Sequence, residues 1–169
     1  MSDATVPDVN ALVARLGSGD PSVRGAAAES LARMGEDAAP AAVPLVRACG
    51  DADEQVREQA VAALEDLGPP PAKAIGLLIA LVAHGDPLVA YWATTLLGRA
   101  GGNAASAVPA LAECLASPAD LVVKQRASWA LGKIGPPAAS AREALARAAR
   151  DADPRLARLA TEALAAIGG

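Results

Sequence analysis

Residues 120–135 read DLVVKQRASWALGKIG, and this stretch decides the fold because its pattern occurs five times along the chain. Counted from Asp120, apolar or small residues stand 3, 7, 11 and 14 positions later, and a glycine follows at position 15. The copies begin at Asp20, Asp53, Asp86, Asp120 and Asp153, which are 33 or 34 residues apart. Five copies at one spacing predict an array of structural repeats.

Each copy predicts an amphipathic helix, which we call helix B. At 100° per residue, the four apolar positions fall within an arc of roughly 80°, which is the width of a buried helical stripe. The aspartate is a favourable N-cap, and proline takes the first helical position in three copies, where its missing N–H costs nothing. The glycine supplies a left-handed residue that ends the helix. Helix B is therefore predicted to span about fifteen residues.

A second apolar segment, helix A, precedes each helix B. It carries a leucine eight or nine residues before the aspartate, namely Leu12, Leu45, Leu78, Leu111 and Leu145. Its entry is rich in proline and alanine, which predicts a sharp stop and a restart of the helix. The chain is thus predicted to contain ten helices in five A–B pairs. They form a single domain over 1–169, with repeats at about 6–35, 36–68, 69–101, 102–135 and 136–169.

Composition also favours an all-α fold. The chain has no phenylalanine, one tyrosine and two tryptophans, and alanine is a good helix former but a poor strand former. A net charge of −4 argues against general attraction to nucleic acid or anionic membranes. Neither a signal peptide nor an apolar run of about 18 residues occurs. Cys49 and Cys114 are expected to be buried free thiols in a cytoplasmic protein.

The pattern of D-P-x-V-R followed by A-x-x-A-L-G-x-I-G resembles the short HEAT-like repeat of phycobilin lyase subunits and bacterial scaffold proteins. The Val-Arg pair matches at 23–24 and 56–57, and 129–135, WALGKIG, is the best-matching run. Ala90 and Ala157 stand where that family often has arginine, so a continuous Asp–Arg ladder is not expected. The resemblance covers essentially the whole chain. It implies a right-handed α-solenoid with A helices on the convex side and B helices on the concave side.

The predicted concave face lies about 100° from the middle of the buried stripe. All three aromatic residues fall on it, in repeats 3 and 4. Its charge is −2 in repeats 1 and 2, from three acids and one arginine, and +4 in repeats 3 to 5, from five cations and one glutamate. The predicted partner-binding residues are Tyr91, Trp92, Thr95, Arg99, Gln125, Arg126, Trp129, Lys133 and Arg158.

Aromatic and arginine side chains are frequent anchors of protein interfaces, and a basic patch suits carboxylates or phosphates. We therefore expect a non-catalytic scaffold that binds a protein or peptide with acidic and apolar groups. In the competing interpretation, Trp92 and Trp129 only bridge adjacent repeats and the basic residues form a solvated face. The binding hypothesis predicts that Trp92→Ala and Trp129→Ala leave the helical content nearly intact while weakening partner capture.

Catalytic motifs are missing from the sequence. One histidine, His84, stands in a predicted loop, and neither a nucleophile motif, a glycine-rich phosphate loop nor a CxxC spacing occurs. We expect no enzyme activity, no cofactor and no metal. Two alternatives stay open: a nucleic-acid-acting HEAT-like protein of the glycosylase type, which would bind DNA in a salt-sensitive way, and a phycobilin lyase-like subunit, which would change bilin absorbance.

The last predicted repeat ends as ATEALAAIGG, without a polar capping helix. Terminal repeats of such arrays normally present a polar outer face. Either the chain is a piece of a longer array, or this end associates with another copy.

Overall fold

The computed structural model describes residues 8–168, and their secondary structure is entirely helical. Residues through Gly68 form one compact unit, unit 1, and residues from Pro69 onward form another, unit 2. Unit 1 contains α1 (Val9–Leu16), α2 (Pro21–Met34), α3 (Ala42–Ala48) and α4 (Glu54–Glu65). Unit 2 contains α5 (Ile75–Leu81), α6 (Pro87–Ala100), α7 (Val108–Ala116), α8 (Leu121–Ile134), α9 (Arg142–Ala148) and α10 (Pro154–Gly168). The single domain over 1–169 stays a prediction.

The B helices are α2, α4, α6, α8 and α10, and each follows its predicted aspartate. The Asp20 carboxylate accepts a hydrogen bond from the Ser22 N–H at 2.8 Å, and the Asp53 carboxylate accepts one from the Val56 N–H at 3.1 Å. Asp86, Asp120 and Asp153 make equivalent bonds. These carboxylates satisfy N–H groups that lack a partner within the helix. The predicted helix starts are therefore confirmed.

Glycine ends three of the B helices with a backbone that other residues rarely adopt. Gly35, after α2, has φ 55° and ψ −128°, and Gly135, after α8, has φ 74° and ψ −143°. The predicted positive φ is correct, but these ψ values lie outside the left-handed helical region, in a region accessible essentially to glycine alone. Gly168 differs, because it still belongs to α10.

The core consists of small and branched residues from the predicted stripe. The five alanines seven positions after each aspartate are fully buried: Ala27, Ala60, Ala93, Ala127 and Ala160. The helix A leucines are buried too, including Leu12 and Leu45. Val23, Met34 and Leu164 are only half-buried. The alanine side chain is a single methyl group, so neighbouring helices can pack at short distances. The core therefore excludes water through close packing of the backbones as well as through side-chain volume.

In repeats 2 to 5, the α-helical part of helix A is short because a 3-10 helix precedes it. The helices α3, α5 and α9 have seven residues and α7 has nine. Each is entered through a 3-10 helix, at Gly35–Ala41, Ala72–Ala74, Gly101–Ala107 and Pro136–Ala141. Proline lacks an N–H and disfavours helical geometry in the residue before it, which agrees with the predicted stop and restart. Residues 6 and 7 of the predicted first repeat lie outside the described residues.

Arginine and aspartate join successive repeats within unit 1. Nε and Nη2 of Arg24 donate to the two carboxylate oxygens of Asp51 at 2.7 and 2.8 Å, and both side chains are largely buried. Nη1 of Arg24 donates to the Ser18 carbonyl at 2.9 Å. Such a forked contact fixes the orientation of both groups as well as attracting them. It therefore holds the loop before α4 against α2.

This contact predicts an acid-sensitive unit 1. The hydrogen bonds from Arg24 are the main reason that the pKa of Asp51 is lowered. A lowered pKa in the folded state contributes stability above the pKa of the unfolded state, and this contribution disappears as the pH falls through the folded pKa. We expect the urea midpoint of the wild type to fall below about pH 4, and Asp51→Asn to be less stable at neutral pH and to flatten this dependence. Asp37→Asn removes the same charge at an exposed position and is the matched control.

Both cysteines are buried, as predicted, and neither forms a disulfide within residues 8–168. Burial raises the pKa of the Cys114 thiol. Within residues 8–168, every helix is too short or too polar to cross a membrane.

Candidate functional site

Three B helices of unit 2 form the surface on which the predicted site lies. Helix α8 packs against α6 on one side and α10 on the other. Glycine stands twelve positions after the aspartate in repeats 3 and 4 only, as Gly98 and Gly132. A β-carbon at Gly98 would lie 3.1 Å from the Ala130 Cα, and one at Gly132 would lie 3.2 Å from the Ala163 Cα. The two glycines therefore permit backbone-to-backbone packing along this surface.

The ring of Trp129 lies in the space that Gly98 leaves open. A β-carbon at Gly98 would be 2.8 Å from Cε3 of Trp129 and closer still to Cζ3. Trp129 is half-buried, so one part of its ring joins α8 to α6 and another part faces solvent. Trp129 therefore bridges adjacent repeats and still contributes to the surface, and its part in partner binding stays a prediction.

The guanidinium of Arg126 is held between two aromatic rings. Its Cζ lies 4.6 Å from the ring centroid of Tyr91 and 5.0 Å from that of Trp129. Nη2 of Arg126 also donates a hydrogen bond to the Tyr91 hydroxyl. Cation–π contacts of this kind contribute about 0.5 to 2 kcal/mol each. The charge of Arg126 is consequently fixed in place before any partner arrives.

Two further arginines share the surface cavity at Arg126. The cavity measures about 90 Å³, and Arg155 and Arg158 line it together with Tyr91, Gln125, Arg126 and Trp129. Arg158 pairs with Glu162 one helical turn away, at 2.7 Å, whereas Arg155 makes no salt bridge within residues 8–168. We call Tyr91, Arg126, Trp129, Arg155 and Arg158 the basic-aromatic cluster. Its charged groups are three cations, so it favours an anionic partner.

Three residues predicted to face a partner are buried instead. Trp92 is 6% exposed, Thr95 is 3% exposed and Gln125 is 8% exposed. The Thr95 hydroxyl donates to the Tyr91 carbonyl, and Nε2 of Gln125 donates to the Asp153 carboxylate at 2.9 Å. Their predicted exposure is therefore wrong, and Gln125 is covered because its side chain binds the N-cap of the next B helix.

The other two predicted residues lie at the edge of the cluster. Arg99 is half-buried, with its Cζ 5.6 Å from the ring centroid of Trp92. Lys133 is exposed, and its Nζ lies 5.8 Å from the ring centroid of Trp129. Both cations add to the positive charge of this side of unit 2.

The pKa of Asp153 is lowered, first by the hydrogen bond from the Leu156 N–H and then by the one from Gln125. Gln125 thus links α8 to the start of α10 through the N-cap of that helix. Its role in the structure is to position α10, which carries Arg155 and Arg158.

A second cavity in unit 2 lies where the arginine and aspartate of the unit 1 contact are replaced by other residues. Ala90 occupies the position of Arg24, and Pro118 occupies the position of Asp51. A cavity of about 400 Å³ lies here, lined by both residues and by His84. His84 is a loop residue, as predicted, and its Nδ1 accepts a hydrogen bond from the Asp86 N–H at 3.1 Å. In the described part of the chain, no three His, Cys, Asp or Glu side chains are grouped as metal ligands would be.

Comparison with known proteins supports the helix-pair repeats. The chain matches the sequence model of HEAT repeats over residues 2–65 and 42–132. No curated protein matches it. Among solved structures, an engineered protein is 26% identical, with a TM-score of 0.66 over 95% of this chain and 79% of that one.

Two further solved structures are similar. The complex of CpcE and CpcF of phycocyanin lyase from Nostoc sp. PCC7120 contains a chain that is 25% identical, with a TM-score of 0.67 over 99% of this chain and 68% of that one. A designed armadillo repeat protein in complex with the peptide (KR)4 is 19% identical, with a TM-score of 0.68 over 95% of this chain and 82% of that one. These matches confirm the predicted all-α class of HEAT-like helix pairs.

Proposed function

Because the chain belongs to the HEAT-repeat family, we propose that it is a non-catalytic scaffold whose unit 2 binds an acidic protein segment at the basic-aromatic cluster. The proposal includes a cytoplasmic location, where thiols such as Cys49 and Cys114 stay reduced. The proposal involves no cofactor. His84, the single histidine of the chain, is not among the residues that line the cluster cavity.

The observation that carries the proposal is the fixed guanidinium of Arg126. A guanidinium can donate two parallel hydrogen bonds to one carboxylate, and such charge-assisted bonds are stronger than neutral ones. Binding normally costs the freedom of a long side chain, but the rings of Tyr91 and Trp129 have already restricted this one. Arg155 and Arg158 stand at the same cavity, so a segment with several carboxylates fits better than one with a single charge.

The designed armadillo repeat protein helps to choose a probe peptide, because its own peptide has the opposite charge to the one expected here. That protein was solved with the basic peptide (KR)4, whereas the cluster here is itself basic. Charge complementarity therefore favours the opposite peptide, rich in aspartate and glutamate. The peptides (DE)4 and (KR)4 are suitable probes because they match in length and differ in charge.

Arg126→Ala is expected to weaken binding of (DE)4. Loss of a hydrogen bond to a charged group costs about 1.5 to 3 kcal/mol, which corresponds to roughly a ten- to hundredfold rise in Kd. Isothermal titration calorimetry with full-length protein measures this change. Tighter binding of (KR)4 than of (DE)4 by the wild type would contradict the proposal.

The chain offers a matched control for the arginines of the cluster. Arg158 and Arg33 are both exposed, and each pairs with a glutamate one helical turn away, at 2.7 and 2.6 Å. Arg158→Ala and Arg33→Ala remove the same local contact and the same charge, but only the first lies at the cluster. We expect a clear loss of (DE)4 affinity for Arg158→Ala alone. Equal losses would show that net charge, rather than the cluster, attracts the peptide.

A second candidate function follows from the 25% identity to a chain of the phycocyanin lyase complex over 99% of this chain. A lyase-like subunit would take up a bilin. Titration of the protein with a bilin tests this, since a shift of the bilin absorbance is required by the second candidate and not by the first.

A further inference from the structure

A cavity beside the basic-aromatic cluster lies between α8 and α10. It measures about 260 Å³ and is lined by Ser128, Trp129, Gly132, Lys133, Leu159 and Glu162, among others. An apolar cavity of about 150 Å³ is large enough for benzene, so this one has room for an aromatic side chain. It opens on the same helices that carry Arg126 and Arg158.

The chain itself shows what fits at the equivalent place. Between α6 and α8, the ring of Trp129 lies in the space left by Gly98. Between α8 and α10, Gly132 leaves a similar space, but Glu162 stands at the position in α10 that Trp129 has in α8, nine residues after the aspartate. The three atoms nearest to a β-carbon at Gly132 all belong to Ala163. The place of the ring is therefore vacant in the second pair of helices.

We propose that this cavity receives a tryptophan or tyrosine side chain of the bound acidic segment. The inference rests on the proposed function and adds a specificity element to it, because the segment then needs an aromatic residue next to its carboxylates. The ring packs over Gly132 as Trp129 packs over Gly98, and the neighbouring carboxylates meet Lys133 and Arg158. Burial of the ring supplies apolar contact that acidic residues alone lack.

Two short peptides test the inference on the full-length protein: acetyl-Trp-Glu-Glu-amide and acetyl-Ala-Glu-Glu-amide. We expect the tryptophan peptide to bind at least about tenfold more tightly, as burial of an aromatic side chain predicts. It should also shift the backbone amide resonance of Gly132 by its ring current, whereas the alanine peptide should not. Equal affinities, or no shift at Gly132, would overturn the inference.

The variant Glu162→Trp introduces a tryptophan into α10 at the position that Trp129 has in α8. It is expected to fill the cavity, raise the Tm above that of the matched control Glu162→Gln, and abolish the preference for the tryptophan peptide. Glu162→Gln removes the same charge but leaves the cavity open, so it should keep the preference. A tenfold preference that survives in a folded Glu162→Trp protein would also overturn the inference. If the variant does not fold, the shift of the Gly132 amide resonance in the wild type still tests the inference.

The outcomes separate the two proposals. If both peptides bind equally well, the cluster binds acidic segments and the aromatic cavity has no role. If neither these peptides nor (DE)4 bind, the proposed function fails, and the inference fails with it.

Discussion

Trp92→Ala is expected to lower the free energy of unfolding by about 3 to 5 kcal/mol, the usual cost of deleting a buried tryptophan ring. Trp92 is 6% exposed, and its ring meets Tyr91 edge-on with centroids 5.6 Å apart. The sequence alone had predicted that this substitution would leave the helices nearly intact. Urea unfolding of the full-length protein, followed by helical circular dichroism, measures the change.

Trp92→Phe is the informative control. Nε1 of Trp92 is buried and has no hydrogen-bond partner within residues 8–168, so phenylalanine removes an unfavourable group while retaining most of the apolar surface. We expect a clearly smaller loss of stability than for alanine. An unchanged unfolding curve for Trp92→Ala would mean that this ring is not part of the core.

Gly98→Ala is expected to destabilise the protein, although alanine is the better helix former. The new β-carbon would meet the ring of Trp129 and would lie 3.1 Å from the Ala130 Cα. Overpacking of this kind costs about 1 to 3 kcal/mol. The same substitution at an unconstrained helical position gains about 0.5 to 1 kcal/mol.

Gly76→Ala in α5 is the matched control, because nothing lies within 4 Å of a β-carbon there. We expect the two substitutions to change the urea midpoint in opposite directions. Trp129→Ala should relieve the crowding, so Gly98→Ala should cost much less in that background than in the wild type. A double-mutant cycle measures this coupling, and additive effects would show that the ring does not depend on Gly98.

Features that depend on one repeat could be predicted from the sequence. The aspartates at the helix starts, the glycines with positive φ and the alanines of the core all follow from local spacing, since each acts within its own helix or turn. Tyr91, Arg126 and Trp129 were placed on one predicted face, and the structure shows their contact. It requires only that successive B helices lie side by side.

Features that depend on the distance between helices could not be predicted in this way. The arc containing Trp92, Thr95 and Gln125 was assigned to the surface because a helical wheel describes one helix and omits the next one. Gly98 and Gly132 let α8 approach α6 and α10 closely, and the ring of Trp129 lies in the space that Gly98 leaves. Contacts of this kind join residues of different helices, and the wheel of one helix does not contain them.

The unequal distribution of aromatic residues has a spectroscopic consequence. Both tryptophans of the chain, Trp92 and Trp129, lie in unit 2, and unit 1 has no aromatic side chain. Indole fluorescence therefore reports on unit 2 alone, whereas the amide signal averages over every helix. Coincident melting by the two probes is expected if the units unfold together, and separated transitions if they do not. The native chain thus carries its own reporter for cooperativity, without any attached dye.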